Sequence, residues 1–240
     1  MCCSTRNSQA TINYFMFNDF VNILFPKTCI GCSRALFKQE TFLCLHCKSE
    51  LPEAQYKANT ENPASQLLAG RTYFNTCLPL YYYYRGGKVQ KIVKEMKYGN
   101  QPKLAQAMGK MMGRNMVGHF EPDQIHAIIP VPLHPKREKA RGYNQSYFLS
   151  KGIAEIMEVP VLKDAIKRNV NTSSQTNKSR LKRWHNVSSI FSLQNSEYLT
   201  GKHILLVDDV ITTGSTLESC CTVLNDVEDI TISIATLATA

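Results

Sequence analysis

The stretch ILLVDDVITTGST, residues 204–216, constrains the fold of this chain more than any other. Its four leading apolar residues form a short run of the kind found in strands buried on both faces of a parallel sheet. Two adjacent acids follow, and then small residues that lead into the helix-patterned TLESCCTVLN. Ligands of open parallel sheets bind outside the carboxyl ends of the strands, so Asp208 and Asp209 are predicted to border a ligand site. Thr212, Thr213, Gly214, Ser215 and Thr216 supply hydroxyls and a glycine at a helix N-terminus, whose N–H groups favour an anion such as a phosphate monoester. The paired carboxylates repel each other and need something to bind, a vicinal diol or a magnesium ion. A phosphate on one side and two hydroxyls on the other describe a ribose 5-phosphate. An ordinary helix N-cap accounts for Ser215 or Thr216 but not for the double Asp on a buried strand.

From Leu78 onward the pattern alternates between strand and helix. LPLYYYY, IHAIIPVP, HILLVDD and DITISIATL read as strands; KVQKIVKEMKYG, KLAQAMGKMMGRNMVGHF, NQSYFLSKGIAEIM and TLESCCTVLN read as helices. That alternation predicts an α/β fold with an open parallel sheet flanked by helices. The run Tyr81 to Tyr84 resembles a base-stacking platform, but successive strand residues face opposite ways, so at most two rings share a surface. Ordinary strand packing is the plainer reading.

Cys29-Ile30-Gly31-Cys32 and Cys44-Leu45-His46-Cys47 form two C-x-x-C knuckles with eleven residues between them. Four thiolates so spaced complete the closed tetrahedral shell of a structural zinc; two redox pairs or two disulfides are the alternatives. His46 lies inside the second knuckle, either as a substitute ligand or solvated. A zinc ribbon of this size folds because metal binding supplies its folding energy, and it implies a reducing, cytoplasmic setting. Cys2, Cys3, Cys77, Cys220 and Cys221 have no partner spacing and read as buried or incidental thiols.

The 240 residues suit one main domain with an appendage. The expected organisation is an N-terminal amphipathic helix over 1–25, a Cys₄ ribbon over 26–55, a polar linker over 56–76 with room for a short helix, and the α/β domain over 77–240. YFMFNDFVNILFP is too short and too interrupted by Asn18, Asp19 and Asn22 to span a bilayer, and no apolar run elsewhere is long enough. Twenty-eight Lys and Arg against nineteen Asp and Glu leave a net charge of +9, which favours polyanionic ligands or serves solubility. Lys136, Arg137, Lys139 and Arg141 surround the single Glu138 beside a predicted strand end, and such a cluster suits pyrophosphate, which Arg grips in a bidentate way; a solvated basic turn is the alternative. His134 lies between two prolines in the same loop. Asn144 reads as the cap of the helix that follows.

These residues resemble a known family. ILLVDDVITTGST is similar to the phosphoribosyl pyrophosphate (PRPP) signature of type I phosphoribosyltransferases. The Cys₄ ribbon, RGYNQS (141–146) and QTNKSRLKRWHN (175–186) narrow the resemblance to the competence protein ComF family, across all but the first dozen or so residues. The resemblance implies that Asp208 and Asp209 contact the ribose hydroxyls and that Thr212, Thr213, Gly214, Ser215 and Thr216 wrap the 5-phosphate. It implies further that PVPLHPKR stands where pyrophosphate binds, with Lys136, Arg137 and Arg141 as its donors and magnesium as its counter-ion. Residues 163–183 hold seven basic residues and one acid; they stand at the place of the mobile hood of type I enzymes, and equally suit a basic loop that tracks a nucleic-acid backbone. Two functions follow. One is a phosphoribosyltransferase with an unidentified acceptor. The other is a non-catalytic PRPP-binding accessory of DNA uptake that handles single-stranded DNA together with the competence machinery.

Overall fold

A computed structural model describes residues 26–58, 60–121, 124–169, 190–194 and 196–240. The helix expected over 1–25 lies outside these residues. By its internal contacts the chain divides into a first unit that ends at Leu51 and a second unit, Pro52–Ala240.

In the first unit, Thr28 and Ala35 form an antiparallel bridge around the first C-x-x-C knuckle. The second knuckle opens the short helix α1 (Leu45–Ser49), with Cys44 as its N-cap. Glu40 ties the two halves of this small unit together, accepting from the backbone N–H of Phe37 at 2.9 Å and of Leu45 at 2.7 Å. Those two N–H donors hold its carboxyl below the usual range.

The second unit begins with α2 (Pro63–Gln66), β1 (Thr76–Tyr82), α3 (Lys88–Tyr98) and α4 (Pro102–Met116). It continues with β2 (Ala127–Pro130), α5 (Pro135–Arg141) and α6 (Gln145–Met157). The hairpin strands β3 (Ile166–Arg168) and β4 (Phe191–Leu193) follow, then β5 (His203–Ile211), α7 (Ser215–Leu224) and β6 (Thr231–Thr239). The main sheet has the order β1-β6-β5-β2, and every neighbouring pair is parallel. The α/β alternation read from the sequence is therefore present, with helices flanking a parallel sheet.

The reason lies in the strand composition. Ile204, Leu205, Leu206 and Val207 of β5 are all completely buried, as a central strand covered on both faces requires. Ile204 and Leu206 join a core with Cys77, Ile129, Ile234 and the α7 residues Leu217, Cys220, Cys221 and Leu224. Burying one such aliphatic side chain contributes about 1.5–3 kcal/mol. Against the sheet also pack α6, on β5 and β2, and α4, on β6. Helices α4 and α6 approach so closely that a Cβ at Gly109 would lie 2.1 Å from the Leu149 carbonyl oxygen, and one at Gly152 2.1 Å from that of Gln106. Cys77 and Cys221 behave as the inert core thiols expected of them: burial pushes both up to about 12.

Two stretches are more ordered than their sequence suggested, and a third packs as expected. Residues 56–76 contain the short helix that the linker reading allowed, and they pack on the sheet: Asn62 caps α2 and donates to the Cys77 carbonyl at 2.8 Å, while Ala64 and Leu68 are completely buried in the sheet core. Polar composition hid a segment that packs through two small apolar contacts. PVPLHPKR is a loop only as far as His134, because the His134 ring accepts from the Lys136 N–H at 3.2 Å, Pro135 starts α5, and the left-handed Gly142 stops it. The tyrosine run splits as its strand geometry demands, with Tyr81 buried and Tyr82 stacked on Tyr84 at a centroid distance of 6.0 Å. No helix among the described residues is long and apolar enough to cross a membrane. Residues 170–189, most of the expected hood, lie outside the described residues.

Candidate functional site

Asp208 and Asp209 sit on β5 just beyond its run of completely buried residues, one and two residues past the level at which Val207 pairs with Pro130, the last residue of β2. Because the sheet is parallel, the segments that leave β2 and β5 emerge at the same end. α5, with Lys136, Arg137 and Arg141, is therefore brought to the end of the sheet that carries the two acids and residues 212–216.

The acids are held unequally. Asp208 Oδ1 accepts from Ser146 Oγ at 3.0 Å and from the Asp209 N–H at 2.8 Å. Asp209 Oδ1 accepts from the Val210 N–H at 2.7 Å, and its Oδ2 faces Lys97 Nζ at 3.0 Å. Burial, and after it the charge of Asp209, pushes the Asp208 carboxyl up to about 7, against the opposing pull of the hydrogen bonds and of Lys97. Carboxyls perturbed in this way cluster at functional sites, though structural ion pairs perturb them as well.

RGYNQS is the clamp that builds this arrangement. Gly142 adopts φ 81°, and a Cβ there would come within 2.8 Å of Asn100 Oδ1, so glycine is the residue that turns the chain out of α5 with the least strain. Tyr143 donates its hydroxyl to the Met96 carbonyl at 2.5 Å, and Gln145 Nε2 donates to the same oxygen at 3.3 Å. Asn144 caps α6, accepting from the Ser146 N–H at 3.0 Å, and donates to the Val131 carbonyl at 3.0 Å. The cap thus delivers Ser146 to Asp208, and the two bonds to Met96 hold the last turn of α3 where Lys97 reaches Asp209. Arg141 donates to Gln145 Oε1 at 2.9 Å and lies 5.9 Å from the centre of the Tyr98 ring, so its guanidinium braces this clamp.

Residues 212–216 form a tight turn into α7. Gly214 is left-handed at φ 75°, and Thr213 Oγ1 and Ser215 Oγ lie 3.2 Å apart. Arg71 reaches in from the turn after α2 to the Thr213 carbonyl at 2.7 Å and to Ser215 Oγ at 3.4 Å, and it pairs with Glu218. Arg168 of β3 is buried over the Phe191 ring, and its guanidinium feels the charges of Arg137 and Asp208. Burial, and then Arg137, hold its pKa below the usual arginine value. The expected residues thus fall into an acid pair, a glycine turn that opens α7, and a basic helix. Lys136 is exposed on that helix and Arg137 is half-buried.

Lys97, Ser146, Arg71 and Arg168 were not singled out from the sequence. Ser146 closes the RGYNQS motif and was within reach of motif reasoning. The other three lie in a helix end, a polar stretch and an unpredicted hairpin, where nothing local signals a distant partner.

In the first unit the Sγ atoms of Cys29, Cys32, Cys44 and Cys47 all lie within 4.8 Å of one another, a set that can hold a metal ion. A tetrahedron with Zn–S bonds of about 2.3 Å has edges of about 3.8 Å, and Cys32 and Cys44 stand 3.8 Å apart. Burial opposes charge on Cys29, but N–H donors led by that of Cys44 outweigh it and bring its thiol down to about 6. Cys47 is pushed up to about 12 by burial and neighbouring thiols. His46 points away and pairs with Glu50 at 3.3 Å, so it stands outside the cluster.

Residues 144–240 match the phosphoribosyl transferase domain family. Competence protein F of Haemophilus influenzae is 30% identical over 194 residues, which are 79% of this chain and 80% of that protein. The DNA utilization protein YhgH of Salmonella typhimurium is 28% identical over 200 residues, again 79% of this chain and 80% of the relative. Competence protein ComFC of Bacillus subtilis is 31% identical over 96 residues, 40% of this chain and 37% of that protein. The domain match takes in the acid pair, the turn and Ser146, and the Haemophilus relative is matched over four fifths of its length. This chain belongs to the ComF family of type I phosphoribosyltransferase-like proteins.

Proposed function

We propose that the second unit binds PRPP and transfers its phosphoribosyl group to an acceptor with release of pyrophosphate. The observation that carries this reading is the continuity of β5, the acid pair and the left-handed turn into α7, which presents two carboxylates and a helix N-terminus at one end of the sheet. Asp208 and Asp209 take the ribose hydroxyls, while Thr212, Thr213, Gly214, Ser215 and Thr216 take the 5-phosphate. Lys136 and Arg137, supported by Arg141, take pyrophosphate, and Arg168 adds a cation near Arg137. A magnesium ion accompanying the pyrophosphate that Lys136 and Arg137 hold would spread the charge of the leaving group.

In the reaction the acceptor's lone pair attacks the anomeric carbon, the bond from that carbon to the pyrophosphate oxygen breaks, and its electrons leave with pyrophosphate. The carboxylates lie where positive charge develops on the sugar, and the basic helix where negative charge develops on the leaving group. Cys29, Cys32, Cys44 and Cys47 hold a structural zinc, a reading supported by the separation of their sulfurs.

Titration with PRPP and magnesium by calorimetry, followed by a pyrophosphate assay with a panel of bases, amines and single-stranded DNA, tests the proposal. Saturable binding that is lost in the Asp208→Asn, Asp209→Asn double variant, with release dependent on one acceptor, supports it. Undiminished binding by that variant removes the ribose assignment.

A second reading is favoured by the names of the relatives, competence proteins and a DNA utilization protein. It is a non-catalytic PRPP-binding accessory of DNA uptake whose basic surface binds single-stranded DNA. Binding of PRPP without release, together with DNA affinity that falls steeply with salt, is its expected result.

A further inference from the structure

The turn that follows α2 is the surface on which residues 212–216 take their shape. Arg71 Nη1 donates to the carbonyls of Leu67 and Thr213, each at 2.7 Å; Nη2 donates to Ser215 Oγ at 3.4 Å and bonds the Glu218 carboxylate. A Cβ at Gly214 would lie 2.9 Å from Leu68 Cδ2 and 3.3 Å from the Leu67 carbonyl, and Leu68 is itself completely buried. A single guanidinium therefore joins a fixed turn to the middle of the loop, to its end and to the first turn of α7. Residues 212–216 carry no cationic side chain of their own. Glu218 places a carboxylate in the first turn of α7, where it opposes any anion seated at that helix end.

Resting on the phosphoribosyl reading, we propose that Arg71 is a positioning residue for the 5-phosphate seat. It engages the Thr213 carbonyl, so that this oxygen does not face the phosphate, and it cancels the charge of Glu218. The anion then meets the loop N–H groups and the helix end without a competing carboxylate. Arg suits the task because its planar fork spreads its donors over two terminal nitrogens in a fixed geometry, whereas the three donors of Lys radiate from a single nitrogen.

The test is calorimetric titration of the full chain with two probes, PRPP plus magnesium and pyrophosphate plus magnesium. The proteins are wild type, Arg71→Ala, Arg71→Lys, Glu218→Gln and the Arg71→Ala, Glu218→Gln double variant. Arg71→Ala should weaken PRPP binding about tenfold, the scale of one charge-assisted contact, and leave pyrophosphate affinity within about twofold. The double variant should recover part of that loss because the uncompensated carboxylate has gone. Arg71→Lys retains the charge and one contact, so it should fall between wild type and Arg71→Ala; it also serves if Arg71→Ala is not recovered folded. Wild-type PRPP affinity in Arg71→Ala or, failing that, in Arg71→Lys overturns the inference and leaves the phosphoribosyl reading standing. An equal loss for both probes overturns it too, since it marks general damage. A wild type that binds no PRPP removes the phosphoribosyl reading and the inference with it.

Discussion

Replacing Asp208 by Asn, which copies the shape of the protonated acid, should stabilise the ligand-free protein at alkaline pH while removing its ligand. The Asp208 carboxyl rises from an ordinary value of 3.8 to about 7 in the fold, mainly through burial and then through the charge of Asp209. A raised carboxyl means that the folded state prefers the proton. The stabilisation is complete below the unfolded value of 3.8 and is lost as pH rises through about 7. At about 1.36 kcal/mol per pKa unit, the gap sets a ceiling of about 4 kcal/mol, of which roughly 2–3 kcal/mol falls between pH 5 and pH 8. Asn does not titrate, yet its Oδ1 can still accept from Ser146 and from the Asp209 N–H. The advantage of Asp208→Asn over wild type should therefore grow by about 2 kcal/mol from pH 5 to pH 8, which corresponds to about 4–8 °C in melting temperature for a chain of this size. Thermal and urea unfolding of both proteins at the two pH values, with no ligand added, measures it. A difference between the proteins that is the same at pH 5 and pH 8 would refute the reasoning, because a packing effect does not depend on pH whereas a proton-linked one must.

Lys97→Met should remove the cation facing Asp209 Oδ2 at 3.0 Å and lower stability at pH 8 by about 1–3 kcal/mol; Asp209→Asn in the same chain should return much of that loss in a double-mutant cycle. Gly142→Ala should cost about 1–2 kcal/mol in urea unfolding, because φ 81° and the approach to Asn100 both exclude a side chain there. Cys29→Ser should lose bound zinc, measured by elemental analysis, together with the ordered first unit. A wild type that carries no metal, with its thiols equally reactive before and after a chelator, would sink the zinc reading.

The periodicities and the spacings of special residues were legible in the chain itself. Four apolar residues before two acids mark a strand buried on both faces, and that strand is β5. Each C-x-x-C knuckle pairs two sulfurs through a local turn, and the matched spacing of the two knuckles signals the four-sulfur cluster. Asn144 was readable as a cap because capping depends on the three residues that follow it. α5 was missed although Pro135 and Gly142 signal it, because a run of alternating cations has no apolar stripe to mark it as a helix.

Tertiary structure alone decided which distant groups serve the acids and the loop. Lys97 meets Asp209 from a helix far earlier in the chain, and the bond from Arg71 to the Thr213 carbonyl spans 142 positions. Neither cation leaves a trace in its own neighbourhood, since both lie where a solvated one would look the same. The pKa of Asp208 belongs to the same class: a carboxyl's charge is set by the water taken from it and by the groups that face it, and both depend on how β5, α3 and the cap of α6 come together. The sequence by itself determines that two acids and a glycine turn follow the buried run of one strand; packing determines that burial raises the pKa of one acid, that a lysine balances the other, and that an arginine from a polar turn holds the loop.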